Sequence, residues 1–213
     1  KNLAPNGRGF HAYHWLEYGY LQQGRIEDAK KLVIDMEGFT KESPNKYSRS
    51  HMVYLKGTYL AESDRWNSDI ANIHVDISDL NLTVRSQYRF IEGMKAFKSE
   101  DMAALEATIA TIKKDLDKES YLVTYDAATF CSGANRNTTS PSMLLETEIM
   151  MEQLIALRSW LDQDTALTEM HLRRTLELEQ NLSYSYGPPV IQKPTHELYA
   201  DWLLSQGKNQ EAL

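Results

Sequence analysis

Cysteine is almost absent from this chain. Cys131 stands alone, so there is no internal disulfide and no metal site built on paired cysteines. Long apolar runs are missing as well. The longest nearly uninterrupted one, Ile149 to Leu157, contains Glu152 and Gln153, whereas a membrane span takes roughly 20 apolar residues. Positive charge is in deficit, with 23 Lys and Arg against 30 Asp and Glu for a net charge of −7. Nucleic-acid affinity rests on clustered cations that release counterions, so nucleic acid is demoted as a partner, and an anionic membrane surface with it. The chemical signatures are missing too: no G-x-S-x-G, no G-x-x-x-x-G-K-[ST] and no G-x-G-x-x-G occurs. What remains is the composition of a soluble globular domain or short repeat array, 213 residues with 42% hydrophobic and 25% charged. No charged n-region followed by an apolar h-region opens the chain. The compartment stays unknown from the sequence: cytoplasmic, or periplasmic if a signal peptide lies upstream.

The apolar residues recur in pairs of helical stripes. Tyr13, Leu16 and Tyr20 are followed by Gly24 and then by Ile26, Ala29, Val33 and Met36, which predicts two amphipathic helices turning at a glycine able to adopt positive φ, a hairpin over about 9–38. Met52, Leu55, Tyr59 and Leu60 predict a helix, with a second expected from Asp64 to about Leu80, for a hairpin over about 46–80. A third, about 84–118, pairs Tyr88 to Lys98 with the stripe Met102, Leu105, Ile109, Ile112, Leu116. A fourth, about 143–182, turns at Asp162-Gln163-Asp164, and a truncated fifth, about 194–213, carries Leu198, Trp202 and Leu203 before Gly207. Between the third and fourth lies a non-periodic insertion, about 119–142, whose Gly133, Asn135, Asn137, Ser140 and Pro141 read as a loop.

These hairpins resemble the tetratricopeptide repeat (TPR) family, in which two-helix units of about 34 residues stack on one another. In the first, Tyr13, Leu16, Tyr20, Gly24, Ala29 and Val33 fall on the family's signature positions, with Glu17 where a small residue is usual. Arg173 to Asn181 looks like a closing run, Gly207 and Ala212 match the turn and packing positions, and Gly57 and Gly93 are close-contact candidates. The stretch Tyr186-Gly187-Pro188-Pro189 and the chain beyond it look like the C-terminal part of bacterial TPR-containing proteins. The resemblance implies an all-α, right-handed α-solenoid. Lys1 to Asn6 looks like the tail of a preceding repeat and Leu213 stops inside a hairpin, so a longer native array, or ends covered by a partner or a second copy, is the expectation.

The same mapping places His11, His14, Tyr18 and Gln22 on the concave, ligand-binding side of the first hairpin, and Phe90, Met94 and Phe97 on that of the third. The Lys and Asn clamp with which family members grip acidic chaperone tails is replaced here by His14 and Tyr18, and a net negative groove suits a neutral or basic peptide. The expected function is therefore a non-catalytic protein- or peptide-binding scaffold without cofactor or metal. The rival is a small-ligand or metal-binding pocket around His11 and His14. Those two histidines, spaced i, i+3, fall short of the three or four ligands a zinc site needs. Cys131 reads as a resting loop thiol, and the scattered carboxylates as solvated helix-surface charge.

Overall fold

The structure, a computed structural model, describes residues 9–128, 139–183 and 186–213. Among these the regular structure is helical: α1 (Phe10–Gln22), α2 (Ile26–Glu42), α3 (Lys46–Ser63), α4 (Leu82–Lys98), α5 (Met102–Ala128), α6 (Pro141–Leu161), α7 (Thr165–Glu179) and α8 (Thr195–Ser205), with a short 3-10 turn at Asp69–Asn72. Lys1 to Asn6, Cys131 and most of the expected insertion loop lie outside the described residues.

Side chains at the helix starts take up backbone donors that have no partner within the helix. Asn45 Oδ1 accepts from Ser48 N and Asn81 Oδ1 from Val84 N, each at 3.0 Å, and Asp164 Oδ1 accepts from Leu167 N at 2.9 Å. Ser140 caps α6, where Pro141 fills the first turn without needing a hydrogen bond. At the helix ends one turn is used four times. Gly24, Glu100, Gln163 and Gly207 all have left-handed φ, of 69°, 56°, 61° and 73°. In each case the next residue's N–H reaches the carbonyl five positions back: Arg25 to Tyr20, Asp101 to Ala96, Asp164 to Ser159 and Lys208 to Leu203. This is a Schellman end, which satisfies the last carbonyls and reverses the chain within three residues. The sequence shows it where glycine supplies the conformation and disguises it at Glu100 and Gln163.

The chain forms two compact units. Among the described residues, one comprises 9–80 together with 186–192, the other 81–128, 139–183 and 193–213. In the first, α1, α2 and α3 pack mutually. Ala29, Val33, Met36, Leu55 and Tyr59 are fully buried there, as the stripes require, whereas Leu16 is 44% exposed. In the second, α4, α5 and α6 pack mutually in the same way, α7 packs on α6, and α8 on α7. Leu105, Ile112, Ile149 and Leu154 are buried. Gly93 sits where a Cβ would come within 2.7 Å of the Leu154 methyls, so its lack of a side chain sets the approach of α4 to α6.

Two boundaries differ from expectation. The helix expected from Asp64 to Leu80 is not formed, apart from the 3-10 turn. Short polar side chains here bond to nearby groups and compete with the helix: Trp66 Nε1 donates to Asp64 Oδ1 at 2.7 Å, and Ser78 N to Asp76 Oδ1 at 3.0 Å. Its apolar residues are buried all the same, Trp66, Ile70, Ala71, Val75 and Leu80 among them. The second difference is α5, which continues to Ala128 and so claims the first ten residues of the expected insertion, 119–128.

Candidate functional site

Helix α1 carries two chemically different faces. Phe10, Glu17 and Leu21 are buried, while His11, Trp15 and Gln22 lie exposed on the other side with Tyr18 half-buried beside them. The His11 and Trp15 rings are 5.5 Å apart. Three of the four residues expected on this face thus line an accessible strip.

His14 belongs instead to the α1–α3 contact. Its Nε2 lies 2.8 Å from Thr58 Oγ1, and its ring stacks on Tyr54 at 5.7 Å. Burial, with the nearby His51 and His11, pushes its pKa down to about 4, so it is neutral at physiological pH. His51 donates from Nδ1 to the Tyr47 carbonyl at 2.9 Å and packs edge-on to the Tyr47 ring at 4.4 Å; burial lowers its pKa too. Gln22 Nε2 donates to Glu62 Oε2 at 2.9 Å, tying the end of α1 to the end of α3.

Glu17 is the least expected residue of the unit. It is 0% exposed, and neither carboxyl oxygen has a hydrogen-bond partner among the described residues. Burial, reinforced by the Glu62 charge, raises its pKa well above the ordinary carboxylate range, which makes it a neutral acid inside the helix packing. Its only signal in the sequence is that the resemblance to the repeat family implies a small residue at this position.

Of the residues expected from the third hairpin, Phe90 and Met94 are corrected to core: they are 0% and 3% exposed, and no ligand can reach them. Hydrophobic spacing alone does not separate a groove-facing stripe from a core-facing one. Phe97 is half-buried, 5.1 Å from Trp160, and lines a half-open cavity of about 790 Å³ within the second unit. Met102, Trp160 and Trp202 supply its other large apolar walls, and Lys98 and Glu100 its charges. Elsewhere in this unit His171 Nδ1 donates to the buried Glu152 at 2.6 Å, and Arg174 Nε pairs with the same carboxylate at 3.2 Å. Among the described residues, no three His, Cys, Asp or Glu side chains are placed to share a metal ion, and no helix is long and apolar enough to cross a membrane.

Segment 186–192 packs with the first unit although it is remote from the rest of that unit in sequence. Gly187, at φ 102°, abuts the Trp15 indole so closely that a Cβ would stand 2.7 Å from Cε2 and Cζ2. At its other end, Gln192 is 4% exposed, donates to the Val53 carbonyl at 3.4 Å, and fills the space left by the missing side chain of Gly57.

The fold and site define an all-helical protein of packed hairpins with an aromatic strip on its first helix. Comparison with known protein families, with curated proteins and with solved structures returns no match for the chain.

Proposed function

We propose that the chain is a non-catalytic binding module of the TPR-like right-handed solenoid class, holding a neutral or basic peptide on the α1 strip of His11, Trp15, Tyr18 and Gln22. The observation carrying this reading is the fourfold recurrence of one helix-ending turn, at Gly24, Glu100, Gln163 and Gly207. It goes with the recurrence, in each unit, of a hairpin whose two helices both pack on the next helix. Such units bury their faces only by stacking and leave one helix surface open. Aromatic side chains on that surface give large contact area for few ordered torsions. Fluorescence anisotropy with labelled basic, neutral and acidic peptides tests it. Basic and neutral peptides bind, Tyr18→Ala weakens them about tenfold as an aromatic anchor does, and His11→Ala weakens them less. Failure of all three classes to bind, or affinity indifferent to both substitutions, overturns the reading.

A second reading rests on the cavity of about 790 Å³, a volume within the range of small-molecule sites and walled by Phe97, Trp160 and Trp202. Native mass spectrometry of the purified protein, repeated on Trp160→Ala, tests it. A retained small molecule lost in the variant supports the reading, and bare protein in both samples rejects it.

A further inference from the structure

We propose that Tyr186–Gln192 is a tethered ligand of the first unit, docked on Trp15 and α3 so that it competes with an uncharged, proline-containing peptide for the α1 strip. The inference rests on the preceding reading of that strip as a peptide surface, and it names both the chemistry the strip takes and what controls access to it.

The segment Tyr-Gly-Pro-Pro-Val-Ile-Gln holds no charged residue and forms neither helix nor strand. Its prolines fix their own φ and bias the residues before them away from helix, which lowers the ordering cost of docking, as in other proline-rich ligands that lie on aromatic surfaces. The two ends are fastened by different means. Ile191 and Gln192 are each 4% exposed, and Gln192 is inserted on the α3 side, where Gly57 makes room for its amide. At the Trp15 end the contact is shallow: Trp15 remains 43% exposed and Tyr186 80% exposed. The two ends thus differ in burial, and the more open one is the end a competing peptide would have to displace. Contact at Trp15 also depends on glycine twice over. The positive φ of Gly187 is strained for any other residue, and a methyl group there would collide with the indole. Trp15 shares its helix face with His11, Tyr18 and Gln22, so a peptide lying along that strip meets the same indole. Being tethered, the segment acts at an effective concentration of order millimolar, and the apparent affinity of an incoming peptide falls by the fraction of time the strip is open.

Gly187→Ala is the decisive variant, because it disfavours the docked state without substituting any residue of the strip. The probe is a labelled free peptide of the sequence of residues 186–192. The NMR resonance of the Trp15 indole N–H reports release directly, and circular dichroism confirms that the helices persist. Gly187→Ala is expected to shift the Trp15 indole resonance and to bind the peptide at least tenfold more tightly than the unsubstituted protein. Adding Trp15→Ala abolishes that gain while leaving the segment released. Equal affinity in the unsubstituted and Gly187→Ala proteins, an unchanged Trp15 indole resonance in Gly187→Ala, or a gain that survives Trp15→Ala each overturns the proposal. A basic peptide run alongside separates the two failures. If it binds the strip while Gly187→Ala changes nothing, the tethered ligand is wrong and the peptide-binding reading stands; if nothing binds any variant, both fall.

Discussion

Glu17 and His14 lie one helical turn apart on α1 and load the first unit with opposite pH dependences. His14 titrates near 6.5 when the chain is unfolded and at about 4 in the folded protein. Between those values the unfolded chain binds the proton and the native one does not. Stability is therefore full above about 6.5 and declines as pH falls toward 4, by on the order of 3 kcal/mol. Glu17 is displaced the other way, its native pKa lying well above the ordinary 4.5. Above 4.5 the unfolded chain has released a proton that the native carboxyl keeps, so this contribution is greatest at low pH and declines as pH rises toward the native value. Urea unfolding midpoints followed against pH check both. His14→Phe, which keeps the ring beside Tyr54, flattens the acid limb, and Glu17→Gln flattens the alkaline limb and gains stability at pH 8. Curves parallel to the unsubstituted protein would show that these groups are not the ones titrating. Beside burial, the charges of His51 and His11 act on His14, and a carboxylate acts on Glu17. Glu62 is the group whose charge adds to the shift.

Among the elements, glycines at helix contacts set how closely α3 and α4 are approached. Gly93→Ala would drive a methyl group into the Leu154 methyls, and overpacking of this kind costs about 1–3 kcal/mol. Because the obstacle is the flexible end of one side chain, Leu154→Ala combined with Gly93→Ala should destabilise by less than the sum of the two single changes. Chemical denaturation of all four proteins measures that coupling, and strict additivity would refute the contact. Both glycines, Gly57 and Gly93, are legible in the sequence as close-contact candidates, as are the stripes of α2 and α5 and the turns at Gly24 and Gly207. What escapes it is physical in each case. Trp66 to Leu80 has apolar residues enough for a helix, but its Asp and Ser side chains spend themselves on local bonds, a competition that apolar spacing does not register. The far end of α5 is hidden because Tyr121 and Leu122 are substantially exposed rather than aligned with the buried stripe. Phe90 and Met94 match the groove pattern and the core pattern equally well, and only packing separates the two. The contact of Gly187 with Trp15 joins residues from opposite ends of the chain and leaves no periodic trace at all.

For the whole molecule the relevant quantity is charge, 30 acids against 23 bases. A net charge of −7 attracts cationic partners from a distance and repels anionic ones, affecting association rate more than the lifetime of the bound state. The α1 strip is itself almost uncharged: His11, Trp15, Tyr18 and Gln22 hold no fixed charge, and the segment docked beside them holds none either. The surface therefore supplies contact while the net negative charge supplies steering, and salt separates the two. Raising ionic strength from about 0.1 M to about 1 M shortens the screening length from about 10 Å to about 3 Å. A basic peptide should then associate more slowly, with little change in its dissociation rate. The uncharged 186–192 peptide, measured on Gly187→Ala, should keep both rates. Stopped-flow anisotropy at the two salt concentrations resolves them. A basic peptide whose dissociation rate carries the salt effect would instead place an ion pair inside the bound interface, with Glu62, at the Gln22 end of the strip, as the first carboxylate to substitute.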